Sequence, residues 1–284
     1  MPIMCISSRN SRSFIVDGKK SIYDWFNING AGHRTMTHPE NDSIKLFAAV
    51  AARNEVRELI PRFAQASGLE VDVTFDLNPA VAKRIQAGES FDVGITNPWF
   101  VDALIQGGKV IAASHLAFGR APLTIGARIA DERPMLTSRE EVCALLLRAQ
   151  SIAYTGEGTS GKSFQEAIDR LGLRDQVLPK SRPLGAGQPV IAAASGEVEL
   201  AIAPMTTIMA APGIAPIATF PADLELDIDM SVFVSTGVRD KARAMQLVDF
   251  LTDPAIDDFL AAKGVMRYRL GSRSYDAMLK RSAA

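Results

Sequence analysis

The 284-residue sequence is poor in metal- and redox-active side chains. Its 2 cysteines, Cys5 and Cys143, stand far apart, and its 3 histidines are scattered, with no C-x-x-C pair and no Cys/His cluster. That spacing gives neither a disulfide framework nor a metal ligand set, so no metal and no cofactor is expected. Long apolar runs are missing as well: nothing approaches the about 18 consecutive apolar residues of a membrane-spanning helix. Charge of one sign is not in excess either, since 31 Lys and Arg face 32 Asp and Glu. Such a balance supplies no overall field to hold nucleic acid or an anionic membrane surface, which argues against both as partners.

Residues 1–42 lack the apolar run of roughly 7 to 15 residues and the small-residue cleavage site of a secretory signal. They carry Arg9, Arg12, Lys19 and Lys20 among Gly, Asn and Ser, and read as a disordered extension. The sequence as written therefore points to the cytoplasm.

What is present is a 47% hydrophobic chain, long enough to bury a substantial core in one large domain or two lobes. From Ser43 it alternates strand and helix. Ile44 to Ala49 is a short apolar run, and 53–67 follows with Val56, Leu59, Ile60 and Phe63 at helical spacing, closing at Gly68. Then come a strand at 70–75, a helix at 79–88, a strand at 91–96 and a helix at 98–106. A second series follows, with strands at 123–127, 151–154 and 199–203 and helices at 138–149, 161–172 and 188–195. A long strand at 226–236 and helices at 239–251 and 254–263 end the pattern. The β-α-β order predicts parallel sheets, ligands at the carboxyl ends of strands, and two lobes with a cleft between them. The chain is expected to cross between lobes near 120–125 and near 226–236. Lobe 1 then comprises 43–121 and 234–270, lobe 2 comprises 122–233, and 271–284 is a tail.

One stretch raises a nucleotide site. YTGEGTSGKSF, residues 154–164, matches the phosphate-loop spacing with Gly156, Gly161, Lys162 and Ser163, between a strand and a helix. A nucleotide hydrolase also needs an acid at the end of a downstream strand to hold magnesium, and ELAIAPM (199–205) has none there. What remains is a Gly-rich turn whose free N–H groups suit an oxyanion, with Thr159, Ser160 and Gly161 at the helix start. Thr159 and Ser160 also suit plain helix caps.

Four stretches taken together, LFAAVAARNEVRELIPRFAQASG (46–68), VDVTFDLNPAVAKRIQAGESFDVGIT (71–96), SIAYTGEGTSGKSFQEAIDRLGL (151–173) and VDFLTDPAIDDFLAAKG (248–264), resemble the molybdate-type periplasmic solute-binding proteins. The GTSG turn at Gly158 to Gly161 is similar to the branch that includes aconitate isomerase. The resemblance implies a two-lobed type II binding-protein fold that closes on an anion, with an ABC-transporter permease as partner if the protein is exported, a periplasmic location and a monomer. It implies ligand contacts from the loops after the strands. The first loop is Ala49-Val50-Ala51, with Val50 where the family pattern has serine; the second is Phe75-Asp76-Leu77-Asn78, again without serine. Molybdate offers acceptors only, so Val50 and Asp76 remove donors and add a negative charge, which turns the expectation toward di- or tricarboxylates.

Arg53, at the start of the first helix, is a candidate to fork onto a carboxylate, and otherwise a solvated cation. Asn78 and Asn97, each at a strand end before Pro, are either turn residues or cleft amides. In the second lobe the family's contacts map onto 185–189 and 203–206, with Gln188 and Thr206 as polar candidates and Met205 as packing. Two alternatives stay open. An isomerase on this scaffold needs an acid-base group, for which Asp76, Glu157 and His115 are candidates. An effector-sensing regulator needs a helix-turn-helix that 1–42 does not contain.

Overall fold

The structure, a computed structural model, describes residues 43–129 and 134–271. The expectations for 1–42 and for the tail beyond 271 lie outside the described residues, as does Cys5; Cys143 is half-buried and unpaired.

The order is β1 (Ile44–Ala49), α1 (Arg53–Ser67), β2 (Val71–Asp76), α2 (Asn78–Gln86), β3 (Val93–Thr96), α3 (Pro98–Gln106), β4 (Leu116–Ala121) and β5 (Leu123–Arg128). Next come α4 (Arg139–Arg148), β6 (Ile152–Thr155), α5 (Thr159–Arg170), α6 (Arg174–Val177), β7 (Ser181–Leu184) and α7 (Gln188–Ser195). The chain continues through β8 (Leu200–Pro204), α8 (Met205–Ala210), β9 (Ile214–Thr219), β10 (Ile228–Val234), α9 (Lys241–Thr252) and α10 (Asp257–Ala262).

Two five-stranded sheets form, ordered β2-β1-β3-β10-β4 and β7-β6-β8-β5-β9. Three neighbouring strands of each are parallel, as the β-α-β pattern predicts, but the fourth and fifth run antiparallel to their neighbours. The sheets are mixed because β5 and β10 arrive from the other lobe and enter from the opposite end. The first crossing is Pro122, between β4 and β5. The second is 220–227: β10 lies in the first sheet over its whole length, so this crossing comes earlier than the 226–236 expected from sequence.

Each sheet is buried by helices, which is why its central strands read as nearly unbroken apolar runs. On one face of the first sheet, Leu46, Ala48, Ile95 and Val232 pack with Val56 and Leu59 of α1 and Leu247 and Leu251 of α9. On the other, Phe47 and Phe233 pack with Val81 and Ile85 of α2 and Leu104 of α3. In the second sheet, Ile125, Ile152 and Ile202 pack with Leu146 of α4 and Phe164 and Ile168 of α5. No helix among the described residues is long and apolar enough to cross a membrane.

Candidate functional site

The carboxyl ends of the parallel strands of both sheets converge on one cavity, the place the strand order favours for a ligand. Its inner part has a volume of about 40 Å³. From the first lobe it is lined by Val50 and Ala51 after β1, Leu77 and Asn78 after β2, and Ile228 at the start of β10. From the second come Thr155, Gly158, Thr159 and Ser160 around the β6–α5 turn, Ala186, Gly187, Pro189 and Val190 at the start of α7, and Ala203, Pro204 and Thr207 around the end of β8. An outer cavity of about 400 Å³ shares Leu77, Thr155 and Ala186 with it and adds Gly156, Glu157, Pro183, Leu184 and Gly185.

None of the inner lining residues has an ionisable side chain. Polarity comes instead from hydroxyls, one amide and helix starts. The N-caps of α2, α5 and α7 are Leu77, Gly158 and Gly187, and none gives its helix a side-chain cap. Ser138 caps α4 with a full capping box and Asp240 caps α9, while α1, α3, α6 and α10 also begin without a side-chain cap. The first N–H groups of a helix have no partner within it, so these three starts present the positive end of the helix dipole and the donors that remain once Pro79 and Pro189, which have no N–H, and the Gln188 N–H, which bonds the Gly185 carbonyl at 3.1 Å, are set aside. Gly187 holds this geometry with φ 75°, a left-handed conformation that other residues adopt at a cost. Gly161 has a different reason to be glycine: a Cβ there would lie 1.8 Å from the Thr155 carbonyl oxygen, so α5 can rise directly from β6 only without a side chain.

The lobes are tied together on both sides of the cavity. The Thr159 hydroxyl donates to Asn97 Oδ1 at 2.6 Å, and Asn97 Nδ2 donates to the Asp229 carbonyl at 2.6 Å. Asp229 is fully buried and held by both Arg120 Nε (2.5 Å) and Nη2 (2.8 Å). On the other side the Thr206 hydroxyl donates to the Ala51 carbonyl, and Asn54 Nδ2 to the Thr206 carbonyl, each at 3.0 Å.

Of the residues proposed from sequence, Val50, Leu77, Asn78, Thr159 and Ser160 line the cavity. Asn97, Gly161 and Thr206 stand behind it as supports. The others fall elsewhere. Arg53 is buried with its guanidinium over the Phe75 ring at 5.4 Å, and burial, with Arg57 beside it, lowers its pKa to about 10. Asp76 accepts from the Leu77 N–H at 2.8 Å and pairs with Arg84 at 3.7 Å, which ties it to its own lobe. Gln188 begins α7 but is exposed, and Met205 is buried against Gly264. Lys162, the phosphate-loop lysine by spacing, is exposed and lines neither cavity.

The acid-base candidates separate too. Glu157 is exposed at the outer cavity. His115 is half-buried with Nε2 2.9 Å from Ser231 Oγ and Nδ1 3.8 Å from Asp102, and burial lowers its pKa while Asp102 opposes this. Asp102, His115 and Ser231 thus stand in line like a nucleophile relay, yet Ser231 is fully buried and lines neither cavity. Ala186, Gly187, Pro189, Ala203 and Pro204 lie in the 185–189 and 203–206 loops to which the resemblance assigns ligand contacts, whereas Thr155, Val190, Thr207 and Ile228 were not among the site residues named from sequence.

The model of the bacterial extracellular solute-binding protein family matches residues 44–265, most of the chain and all the cavity-lining residues. The chain belongs to that family. Aconitate isomerase of Pseudomonas sp is 23% identical over 171 residues, 58% of this chain and 65% of that one, so the match spans less than two thirds of the isomerase. The molybdate-binding protein ModA of Escherichia coli (strain K12) is 23% identical over 220 residues, 76% of this chain and 85% of that one. Among solved structures, the periplasmic molybdate-binding protein of Azotobacter vinelandii superposes with a TM-score of 0.68 at 18% identity, covering 79% of this chain and 99% of that one. The two-lobed type II binding-protein fold expected from the resemblance is the fold observed.

Proposed function

We propose that this solute-binding protein takes a small organic anion, a di- or tricarboxylate, into the interlobe cavity and, once exported, delivers it to an ABC-transporter permease. The observation that carries this reading is the meeting of three helix starts at one cavity whose inner lining has no charged side chain. N–H groups and helix dipoles stabilise negative charge there without a paired cation, and closure of the lobes replaces the ligand's water. Val50 lines the position where the resemblance expects a serine hydroxyl, and the loop after β2 brings Leu77 and Asn78 to the cavity but neither a serine nor Asp76, so a bare oxyanion such as molybdate lacks those hydroxyl donors while the negative charge expected from Asp76 stays outside. The outer cavity leaves room for the body of a larger acid beyond its bound carboxylate.

A second reading, isomerisation of aconitate, draws on the likeness to aconitate isomerase. It needs a group that takes and returns a proton, and Glu157 is the one ionisable residue lining either cavity among the described residues. Calorimetric titration with trans-aconitate, citrate, malate, molybdate and sulfate tests the binding reading. Conversion of trans- to cis-aconitate that a Glu157→Gln variant abolishes would replace it with the enzyme.

A further inference from the structure

Asn97 fixes which way the Thr159 hydroxyl bonds, and with it what that side chain offers a ligand. Asn97 Nδ2 lies 2.6 Å from the Asp229 carbonyl, and a backbone carbonyl can only accept. The amide is thereby oriented with Oδ1 toward Thr159, 2.6 Å from Oγ1. An amide oxygen has no proton to give, so Thr159 is the donor, and a threonine hydroxyl has a single proton. The bidentate Arg120–Asp229 pair holds the residue of β10 whose backbone carbonyl Asn97 bonds. Toward a ligand in the cavity that it lines, the Thr159 side chain therefore offers lone pairs alone.

A sulfate, a molybdate or a bare carboxylate brings only lone pairs of its own, and a buried acceptor facing them stays unsatisfied. An O–H on the ligand supplies the missing proton. We propose that the cavity selects a hydroxy acid, with a carboxylate on the helix starts and a hydroxyl donating to Thr159 Oγ1, and that Asn97 is the positioning residue that sets this preference. The inference rests on the reading of the site as a carboxylate site and deepens it.

The test is calorimetric titration of the full chain with acids that differ by one hydroxyl: either enantiomer of malate against succinate, and citrate against tricarballylate. Wild type is expected to bind the hydroxylated member of a pair about tenfold more tightly. Thr159→Val should bring that ratio to within about twofold, while Thr159→Ser should keep it. Removing the Thr159–Asn97 bond also weakens lobe closure, but that affects both members of a pair alike and cancels in the ratio. A wild-type ratio near one, or a ratio that survives Thr159→Val, overturns the inference while leaving a carboxylate site. If none of the acids binds wild type, the carboxylate reading itself fails, and this inference with it. Should the valine variant not fold, the wild-type ratio and its retention in Thr159→Ser still decide.

Discussion

Thr206 is tied across the cleft twice: its hydroxyl donates to the Ala51 carbonyl at 3.0 Å, and its own carbonyl accepts from Asn54 Nδ2 at 3.0 Å. Both groups belong to a loop and a helix start that close one side of the cavity, so this residue couples closure to the shape of the site. Thr206→Val keeps the volume and deletes the hydroxyl, leaving the Ala51 carbonyl without that partner. The expected cost is about 1 to 2 kcal/mol in urea unfolding, with a larger radius of gyration in solution scattering as the open form gains population.

Glu55 on α1 gives a pH dependence of known sign. It is fully buried, no other residue hydrogen-bonds its carboxylate, and burial raises its pKa from 4.5 to about 7, with its own N–H and Lys263 opposing the rise and Glu58 adding to it. The folded protein therefore holds a proton that the unfolded chain releases. Its contribution to stability is complete below about pH 4.5 and falls as pH rises toward about 7, by roughly 3 kcal/mol across that window. Glu55→Gln should flatten this part of the stability-against-pH curve. Parallel curves for the two proteins between pH 5 and 8 would contradict the assignment.

The absence of a side chain at Gly161 is a structural requirement of the β6–α5 turn. Gly161→Ala sets a methyl 1.8 Å from the Thr155 carbonyl oxygen, a backbone atom that cannot rotate away. We expect a loss of about 1 to 3 kcal/mol in thermal or urea unfolding, together with weaker anion binding, since Thr155, Thr159 and Ser160 all line the cavity beside it. A variant of unchanged stability would mean that the turn adapts more freely than this close approach allows.

The phosphate-loop spacing at Gly156 to Ser163 is not expected to hold a nucleotide, because Lys162 is exposed and outside both cavities. Magnesium with ATP or GTP should leave the melting temperature unchanged, and Lys162→Ala should leave carboxylate affinity within about twofold. Stabilisation by nucleotide that the alanine variant loses would reverse this.

How far the sequence reveals the fold depends on how strongly each element is punctuated. The α1, α2 and α3 helices begin at or beside Pro79, Pro98 and a clear 3.6-residue stripe, and they lie within a residue or two of the pattern. The strands missed from sequence are those whose residues argue against a strand: β7 contains Pro183 and pairs on one edge only, β9 contains Pro216 at an irregularity in its register, and β4 carries Gly119 and Arg120. Proline is tolerated there because an edge or a bulge leaves an N–H unneeded. The α8 helix is missed because Thr206 and Thr207 are poor helix formers held by tertiary contacts.

The site divides along the same line. Loop positions follow from the strand order, so Val50, Leu77, Asn78, Thr159 and Ser160 are legible. Side-chain direction is not, and Arg53 turns onto Phe75 while Asp76 turns onto Leu77 and Arg84, although both stand beside lining residues. Ile228 reaches the cavity from the far end of the chain only because β10 returns to the first sheet.

We propose that the cavity prefers an organic acid to a bare oxyanion. Calorimetric titration of one preparation with citrate, malate and trans-aconitate on one side and molybdate, tungstate and sulfate on the other decides between them. We expect saturable binding of at least one of the acids, with the three oxyanions weaker by about tenfold or more. Micromolar binding of molybdate or tungstate with no binding of any carboxylate would overturn the proposal.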